Sequence, residues 1–323
     1  MLPQNSDDAV SLYRGRFAPS PTGPLHFGSL VAATASYLDA RSHGGEWLVR
    51  IEDVDTGRAV PGAAENILAT LETFGFQWDG PVLWQSRRTE RYQEALDALR
   101  AEDLVFACRC SRKDLDAIGR YSEDGVAWYP GTCRNVSWHQ QLGIPVDWSW
   151  RFRVNETPVA FVDRWRGSVA CDLADSVGDF VVFRRDGLFA YQLAVVVDDE
   201  DQQVTDIVRG EDLLWSTPRQ IAIQRALGYA TPRYLHIPVV TSTDGRKLSK
   251  QNGAEALDVC RSSTTLLRAF RFLGLDAPQE LESLPLNAIW QWGSTAWPKL
   301  AMAKSKDTVA GIEGAGNTDL RDH

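Results

Sequence analysis

Arg16-Phe17-Ala18-Pro19-Ser20-Pro21-Thr22-Gly23-Pro24-Leu25-His26-Phe27-Gly28-Ser29 is the stretch whose conformation organises the rest of the chain. An apolar run, Leu12 to Phe17, enters it and reads as a short strand. A helical run, Leu30 to Arg41, leaves it, with apolar side chains at Leu30, Ala33, Tyr37 and Leu38. Between them each proline fixes φ and each glycine permits backbone closed to other residues, so the segment is a rigid turn. It delivers His26 and Gly28 to the start of a helix. Free N–H groups and the helix dipole attract phosphate there.

The full length, 323 residues, suggests two or three domains, and 44% apolar residues supply a sizeable core. No apolar run is long enough to span a membrane, and Met1 to Val10 is polar and acidic, unlike a signal peptide. A soluble, cytoplasmic protein is expected. The net charge of −9 argues against a broad, non-specific nucleic-acid surface and leaves room for a local basic patch.

Glu46 to Ile51 reads as a buried strand after Gly44-Gly45, and Glu52-Asp53-Val54-Asp55 stands at its carboxyl end. Ligands of open α/β sheets sit outside such ends, which places Glu52 beside the opening turn if the two strands are neighbours. Asp55 is expected to cap the next helix. Pro61 to Phe76 and Arg88 to Asp103 have helical apolar spacing and read as cover for a sheet.

Leu104 to Ala107 is a short strand leading into Cys108-Arg109-Cys110, and Tyr129-Pro130-Gly131-Thr132-Cys133 follows. An odd total of five cysteines disfavours a disulfide framework, whereas three close in sequence suit a tetrahedral zinc. The fourth ligand is open among His139, Asp114, a water and the Tyr129 phenolate. Composition alone favours His139. Ser111 with Asp114 reads as a weak capping box, and Cys171 and Cys260, standing alone, read as core.

Arg151 to Leu173 alternates in polarity and reads as antiparallel strands, so 105–170 is taken as an insertion. Asp179 to Arg184, Asp186-Gly187 and Leu188 to Tyr191 read as a hairpin. The apolar run Tyr191 to Val197 ends in Asp198-Asp199-Glu200-Asp201, and the β-branched strand Thr205 to Val208 ends in Arg209-Gly210-Glu211-Asp212. Both look like charged groups at a strand's carboxyl end. Thr217-Pro218 opens a helix closed by Gly228, and His236 to Val240 is another strand. It runs into a loop carrying Arg246, Lys247 and Lys250. Cations on a loop opposite a helix N-terminus are what a triphosphate site needs. Thr264 to Leu273 and Leu286 to Ala303 are helices whose tryptophans read as core. The chain after Lys304 reads as disordered.

Two signals occur in order: Pro19-x-Pro21-x-Gly23-x-Leu25-His26-x-Gly28 after a first strand, and Lys247-Leu248-Ser249-Lys250 after a last one. The pair resembles the signature motifs of class I aminoacyl-tRNA synthetases. Arg16 to Gly23, Arg50-Ile51-Glu52-Asp53-Val54-Asp55 and Ile207-Val208-Arg209-Gly210-Glu211-Asp212 narrow the resemblance to the glutamyl and glutaminyl branch, over about residues 13 to 255. Little chain follows the Lys247 loop. With the cysteine pattern, this resembles a truncated subgroup of that branch.

The resemblance implies an α/β fold: a Rossmann-type catalytic domain with a zinc-containing insertion, a small C-terminal helical domain and no anticodon-binding domain. The expected boundaries are a tail at 1–12, catalytic halves at 13–104 and 171–253 around the 105–170 insertion, a helical domain at 254–303 and a disordered tail at 304–323. It implies glutamate binding by Arg16, Phe17, Ala18, Pro19, Ser20, Glu52, Tyr191 and Arg209. ATP would be held by Pro19, His26, Gly28, Ser29, Lys247, Ser249 and Lys250, with His26 and Lys250 catalytic and Mg²⁺ on the phosphates. It moves the fourth zinc ligand from His139 to Tyr129, beside Cys108, Cys110 and Cys133.

The implied reaction is ATP-dependent formation of glutamyl-adenylate, then transfer of glutamate to queuosine in the anticodon loop of tRNA(Asp); a monomer is the default expectation. The first motif departs from many relatives in carrying Ser29 where they have a second histidine. A compact glutamyl-tRNA synthetase charging the tRNA 3′ end is the nearest alternative, and missing anticodon-domain sequence argues against it. A non-catalytic tRNA-binding paralogue would not need His26, Glu52, Arg209 and Lys250 together. Another adenylate-forming enzyme would not need the set Arg16, Glu52, Tyr191 and Arg209.

Overall fold

The computed structural model describes residues 12–135, 148–241 and 256–315, with 303–315 as backbone only. The opening turn joins strand β1 (Arg14–Phe17) to helix α1 (Phe27–Ser42). Leu30, Leu38 and the residues between them except Ala32 are buried, so α1 is a core helix with little solvent face. Gly44 turns the chain at φ 64° into β2 (Glu46–Ile51), which lies parallel to β1 from Arg14 opposite Glu46 to Phe17 opposite Val49. After α2 (Ala63–Thr73), the short β3 (Leu83–Trp84) adds in parallel to β2, and α3 (Thr89–Ala101) follows.

The middle of the chain changes character. β4 (Val105–Cys108) leads to α4 (Arg112–Asp116), whose Ser111–Asp114 capping box forms as the sequence suggests. Next come β5 (Ser149–Phe152), β6 (Val159–Asp163), β7 (Gly167–Cys171), the single-turn α5 (Leu173–Ser176) and β8 (Phe180–Phe183). β4, β5 and β8 form an antiparallel sheet. The β6–β7 hairpin instead joins the parallel strands that follow.

Those strands are β9 (Asp206–Gly210) and β10 (Arg233–Ile237), with α6 (Tyr191–Asp201) before β9 and α7 (Thr217–Leu227) between them. The sheet order is β7-β6-β10-β9. Thr205 N–H donates to Arg14 O at 2.9 Å, which sets the start of β9 beside β1 and makes the two parallel sheets adjoin. A crevice at such a junction, outside the carboxyl ends of the strands, is where open α/β sheets bind ligands. Helices α8 (Ser262–Leu273) and α9 (Leu286–Ala315) pack on α1. Trp290 and Trp297 are buried there, as core rather than a stacking surface, and their indole N–H groups donate to Phe74 O at 2.9 Å and Asp39 Oδ1 at 2.8 Å.

Several elements differ from the sequence-based expectation. The run after Ala190 is a helix, not a strand, and the hairpin pairing ends at Phe189. A wholly buried helix and a buried strand carry the same apolar run, and periodicity does not separate them. β10 ends at Ile237 because Pro238 cannot continue the ladder. Cys260 is exposed in a short turn after Asp258, not core. The Asp55 carboxylate caps no helix. It accepts from Arg184 Nη1 at 2.6 Å across the mouth of the crevice. The backbone stays helical through Ala315, past the Lys304 boundary, since adding residues to an existing helix costs little.

Candidate active site

A cavity of about 620 Å³ opens at the carboxyl ends of β1, β2, β9 and β10. Every described residue that the sequence assigned to glutamate or ATP lines it: Arg16, Phe17, Ala18, Pro19, Ser20, His26, Gly28, Ser29, Glu52, Tyr191 and Arg209. Glu52 N–H donates to Pro19 O at 3.0 Å, so the end of β2 is tied to the opening turn. Lys247, Ser249 and Lys250, with Arg246, lie outside the described residues. The chain around them is anchored at the cavity on both sides: Val240 lines it, and Ala256 forms an isolated antiparallel bridge with His26.

His26 is the N-cap of α1, and its Nδ1 accepts the Ser29 N–H at 3.2 Å. That bond places the ring proton of a neutral imidazole on Nε2, a donor suited to a phosphate oxygen. The dipole of a sixteen-residue helix adds to the attraction for negative charge.

Buried arginines stand in three of the four strands. Arg16 of β1 pairs with Asp199 through Nε at 3.0 Å and Nη2 at 3.3 Å, and Arg50 of β2 reaches the same carboxylate at 2.5 Å. All three side chains are buried. Asp199, on α6, therefore bridges the two cations and offsets part of their charge. Burial alone would raise its carboxyl, but the Arg16 and Arg50 charges outweigh that and hold it below the usual range.

Glu52 is the counterpart without such support. Its Oε1 has no hydrogen-bond partner among the described residues, and Arg50 Nε is 3.9 Å away. Burial pushes its carboxyl up to about 7, against the pull of Arg50 and Arg16. A cation arriving beside it would restore the charged form. Tyr191, first residue of α6, shares this field. Its hydroxyl is raised first by burial and then by the Glu52 charge, with Arg209 and Arg16 pulling the other way.

Arg209 projects from β9 and is buried. Nε donates to His236 Nε2 at 3.1 Å, and Nη2 donates to Thr217 Oγ1 at 2.7 Å. Its guanidinium carbon lies 5.6 Å from the Tyr234 ring centroid. Nη1 has no partner among the described residues, although the side chain borders the cavity. A buried donor left open is costly, so an acceptor delivered to it is bound strongly.

A second constellation stands apart from the cavity. The sulfurs of Cys108, Cys110 and Cys133 lie within 4.8 Å of one another, with Cys110 and Cys133 3.7 Å apart, and Tyr129 Oη is 3.5 Å from Cys108 Sγ. Tetrahedral zinc with Zn–S of about 2.3 Å and Zn–O of about 2.0 Å implies S–S spacing of about 3.8 Å and S–O spacing of about 3.5 Å, so the donor set fits. Arg151 stacks on the Tyr129 ring at 4.0 Å. Of the other candidates for a fourth ligand, Asp114 is engaged in its capping box, and His139 lies outside the described residues.

Sequence reasoning missed Asp199, Arg50, His236, Asp163 and Thr217. The available signal was charge balance: Arg16, Arg50 and Arg209 sit in apolar strands and need buried partners, Asp198-Asp199 directly follow the apolar run that ends at Val197, and His236 stands within one.

Residues 13–275 match the family model described as tRNA synthetases class I (E and Q), catalytic domain. The chain is 56% identical over 291 residues to a glutamyl-Q tRNA(Asp) synthetase of Dechloromonas aromatica, covering 89% of this chain and 94% of that one. It is 54% identical over 294 residues to one from Aromatoleum aromaticum, covering 90% of each. The fold is similar to a glutamate-tRNA synthetase of Elizabethkingia anophelis, with a TM-score of 0.62 and 29% identity. That match covers 75% of this chain and 53% of the other, so the chain spans about half of that larger synthetase. The turn that places His26 at a helix start, the Glu52 and Arg209 pair across the crevice and these similarities agree: the chain belongs to the class I tRNA synthetases of the glutamate and glutamine branch, and within it to the family of glutamyl-Q tRNA(Asp) synthetases.

Proposed function

We propose that the chain activates L-glutamate with ATP and transfers the glutamyl group to the queuosine base in the anticodon loop of tRNA(Asp). One observation carries the reading. A single cavity is lined by a buried cation, Arg209, whose Nη1 has no partner among the described residues, and by a buried carboxyl, Glu52, whose Oε1 has none among them either. An amino acid with an anionic side chain answers both, its side-chain carboxylate on Arg209 and its α-ammonium on Glu52. Glutamine would leave the Arg209 charge unneutralised, so selection is against the neutral amide. The shared names of the close relatives, at 50–56% identity, support queuosine in tRNA(Asp) as the acceptor.

In the first step an oxygen of the glutamate α-carboxylate attacks the α-phosphorus of ATP in line. The new bond is the acyl phosphate, and pyrophosphate leaves. The nucleophile is already an anion, so no general base is needed, and catalysis is positioning and charge stabilisation. His26 Nε2 and the first N–H groups of α1, at Phe27 and Gly28, hold phosphate oxygens, the Ser29 N–H being already given to His26 Nδ1. Lys250 neutralises the α-phosphate, with Lys247 and Ser249 on the same loop. Mg²⁺ bound with ATP supplies further positive charge. In the second step a hydroxyl of the queuosine cyclopentenediol attacks the acyl carbon, and AMP leaves.

Cys108, Cys110, Cys133 and Tyr129 hold one structural zinc in this reading, and the insertion around them, with the helices after residue 254, grips one stem-loop of the tRNA. The test is amino-acid-dependent exchange of labelled pyrophosphate into ATP. Glutamate is expected to support it and glutamine is not. Exchange with neither, or with both equally, would overturn the reading.

A further inference from the structure

His236 is fully buried in β10 and takes no part in the reaction described above. Its surroundings fix its proton. Asp163 is an acceptor on both oxygens: Oδ1 receives the N–H groups of Trp165 and Arg166 at 2.9 Å, and Oδ2 receives the His236 backbone N–H at 3.0 Å. His236 Nδ1 lies 2.7 Å from the same Oδ2, so Nδ1 carries the hydrogen and donates it. Nε2 is then a lone pair. Arg209 Nε donates to it at 3.1 Å, and the Thr217 hydroxyl, at 3.2 Å from Nε2 and 3.5 Å from Leu213 O, has its one hydrogen between those two acceptors. Thr217 Oγ1 in turn accepts from Arg209 Nη2 at 2.7 Å, which closes a triangle of buried polar contacts. Burial and the Arg209 charge, against the pull of Asp163, hold the imidazole neutral with its pKa lowered to about 4.

An arginine with a single open nitrogen is selective only if the other two are immobile. Stacking on Tyr234 restrains the guanidinium plane but not its rotation within that plane. The hydrogen bonds from Nε to His236 and from Nη2 to Thr217, with a longer one from Nη2 to Leu213 O at 3.4 Å, supply that restraint. We propose that His236, with Thr217, is a positioning residue that fixes Arg209 so that Nη1 alone meets the side-chain carboxylate of the amino acid. Asp163 acts one step further back, by holding the His236 tautomer. The inference rests on the proposed contact between Arg209 and that carboxylate.

The test compares pyrophosphate exchange by the unaltered chain with that of His236→Leu, His236→Gln and Thr217→Val. Glutamine carries an acceptor oxygen near the position of Nε2, and leucine carries none. Loss of one hydrogen bond to the charged group is expected to raise KM for glutamate about tenfold or more in His236→Leu. KM for ATP should stay within about twofold, since no ATP contact changes. The preference for glutamate over glutamine should narrow, and His236→Gln should recover most of the loss. If His236→Leu does not fold, Thr217→Val decides, because it removes one hydroxyl at nearly constant volume and should raise KM for glutamate severalfold. Folded variants with unchanged glutamate KM and preference would overturn the inference, as would equal rises in both KM values. Failure of the unaltered chain to exchange with glutamate would instead overturn the proposed function itself.

Discussion

Arg16 and Asp199 form a buried two-point ion pair, Nε to Oδ1 at 3.0 Å and Nη2 to Oδ2 at 3.3 Å, across the layer between β1 and α6. Arg16 lines the cavity, and the pair holds its guanidinium in one place there, with Nε and Nη2 on Asp199.

Asp199 also holds Arg50, so removing its charge strands two buried cations. Asp199→Ala should destabilise the fold by about 3–5 kcal/mol, the usual cost of breaking a buried pair. Urea denaturation monitored by circular dichroism checks this. The sign with pH follows from the lowered carboxyl. The stabilisation is present above the unfolded value of about 3.9 and is lost as pH falls through the still lower folded value.

Arg209→Ala should abolish glutamate-dependent pyrophosphate exchange and leave ATP binding within about twofold, because Arg209 touches the amino acid alone in the proposed complex. Arg209→Lys should fare little better, since a lysine cannot bond His236 and Thr217 and also present a third donor in one plane. Calorimetric titration with ATP separates loss of the fold from loss of the site. Intact exchange in either variant would remove Arg209 from the glutamate site.

Glu52 gives the reaction a pH dependence. Its carboxyl, raised to about 7 in the free protein, must be ionised to meet the α-ammonium. Below pH 7 the ionised fraction falls about tenfold per unit, so kcat/KM for glutamate should fall with it and flatten above 7. Bound ammonium favours the ionised form, so the kcat profile should break at lower pH. Glu52→Gln should lower kcat/KM and erase the break. A profile that keeps its break in that variant assigns the titration to another group.

The cysteine cluster should carry about one zinc per chain by elemental analysis, and stripping it with a strong chelator should lower the melting temperature. Tyr129→Phe, which keeps the buried ring under Arg151 and removes only the oxygen, should weaken zinc retention during chelator titration. Retention equal to that of the unaltered chain would assign the fourth position to another donor.

Much of the fold was legible because its signals are local. Three prolines and Gly23 announce the turn before α1, Gly228 closes α7 with φ 72°, and Ser111 with Asp114 caps α4. The cavity residues were legible because they cluster in that turn and at strand ends. What stayed hidden is long-range. Whether the run after Tyr191 is helix or strand depends on the layers that bury it, and only the helix carries Asp199 to Arg16 and Arg50. Likewise, nothing near Arg209 in sequence predicts that His236, on the neighbouring strand, lies opposite it in the β9–β10 register.

The acceptor separates the proposed activity from ordinary tRNA charging, and locating the transferred glutamate settles it. Labelled glutamate and ATP would be supplied with tRNA(Asp) from which the 3′-terminal adenosine has been removed, in forms with and without queuosine. Labelling of the trimmed, queuosine-containing tRNA, and none of the queuosine-free form, is expected. Labelling that requires the terminal adenosine and ignores queuosine would contradict base modification and make this a small synthetase for the tRNA 3′ end.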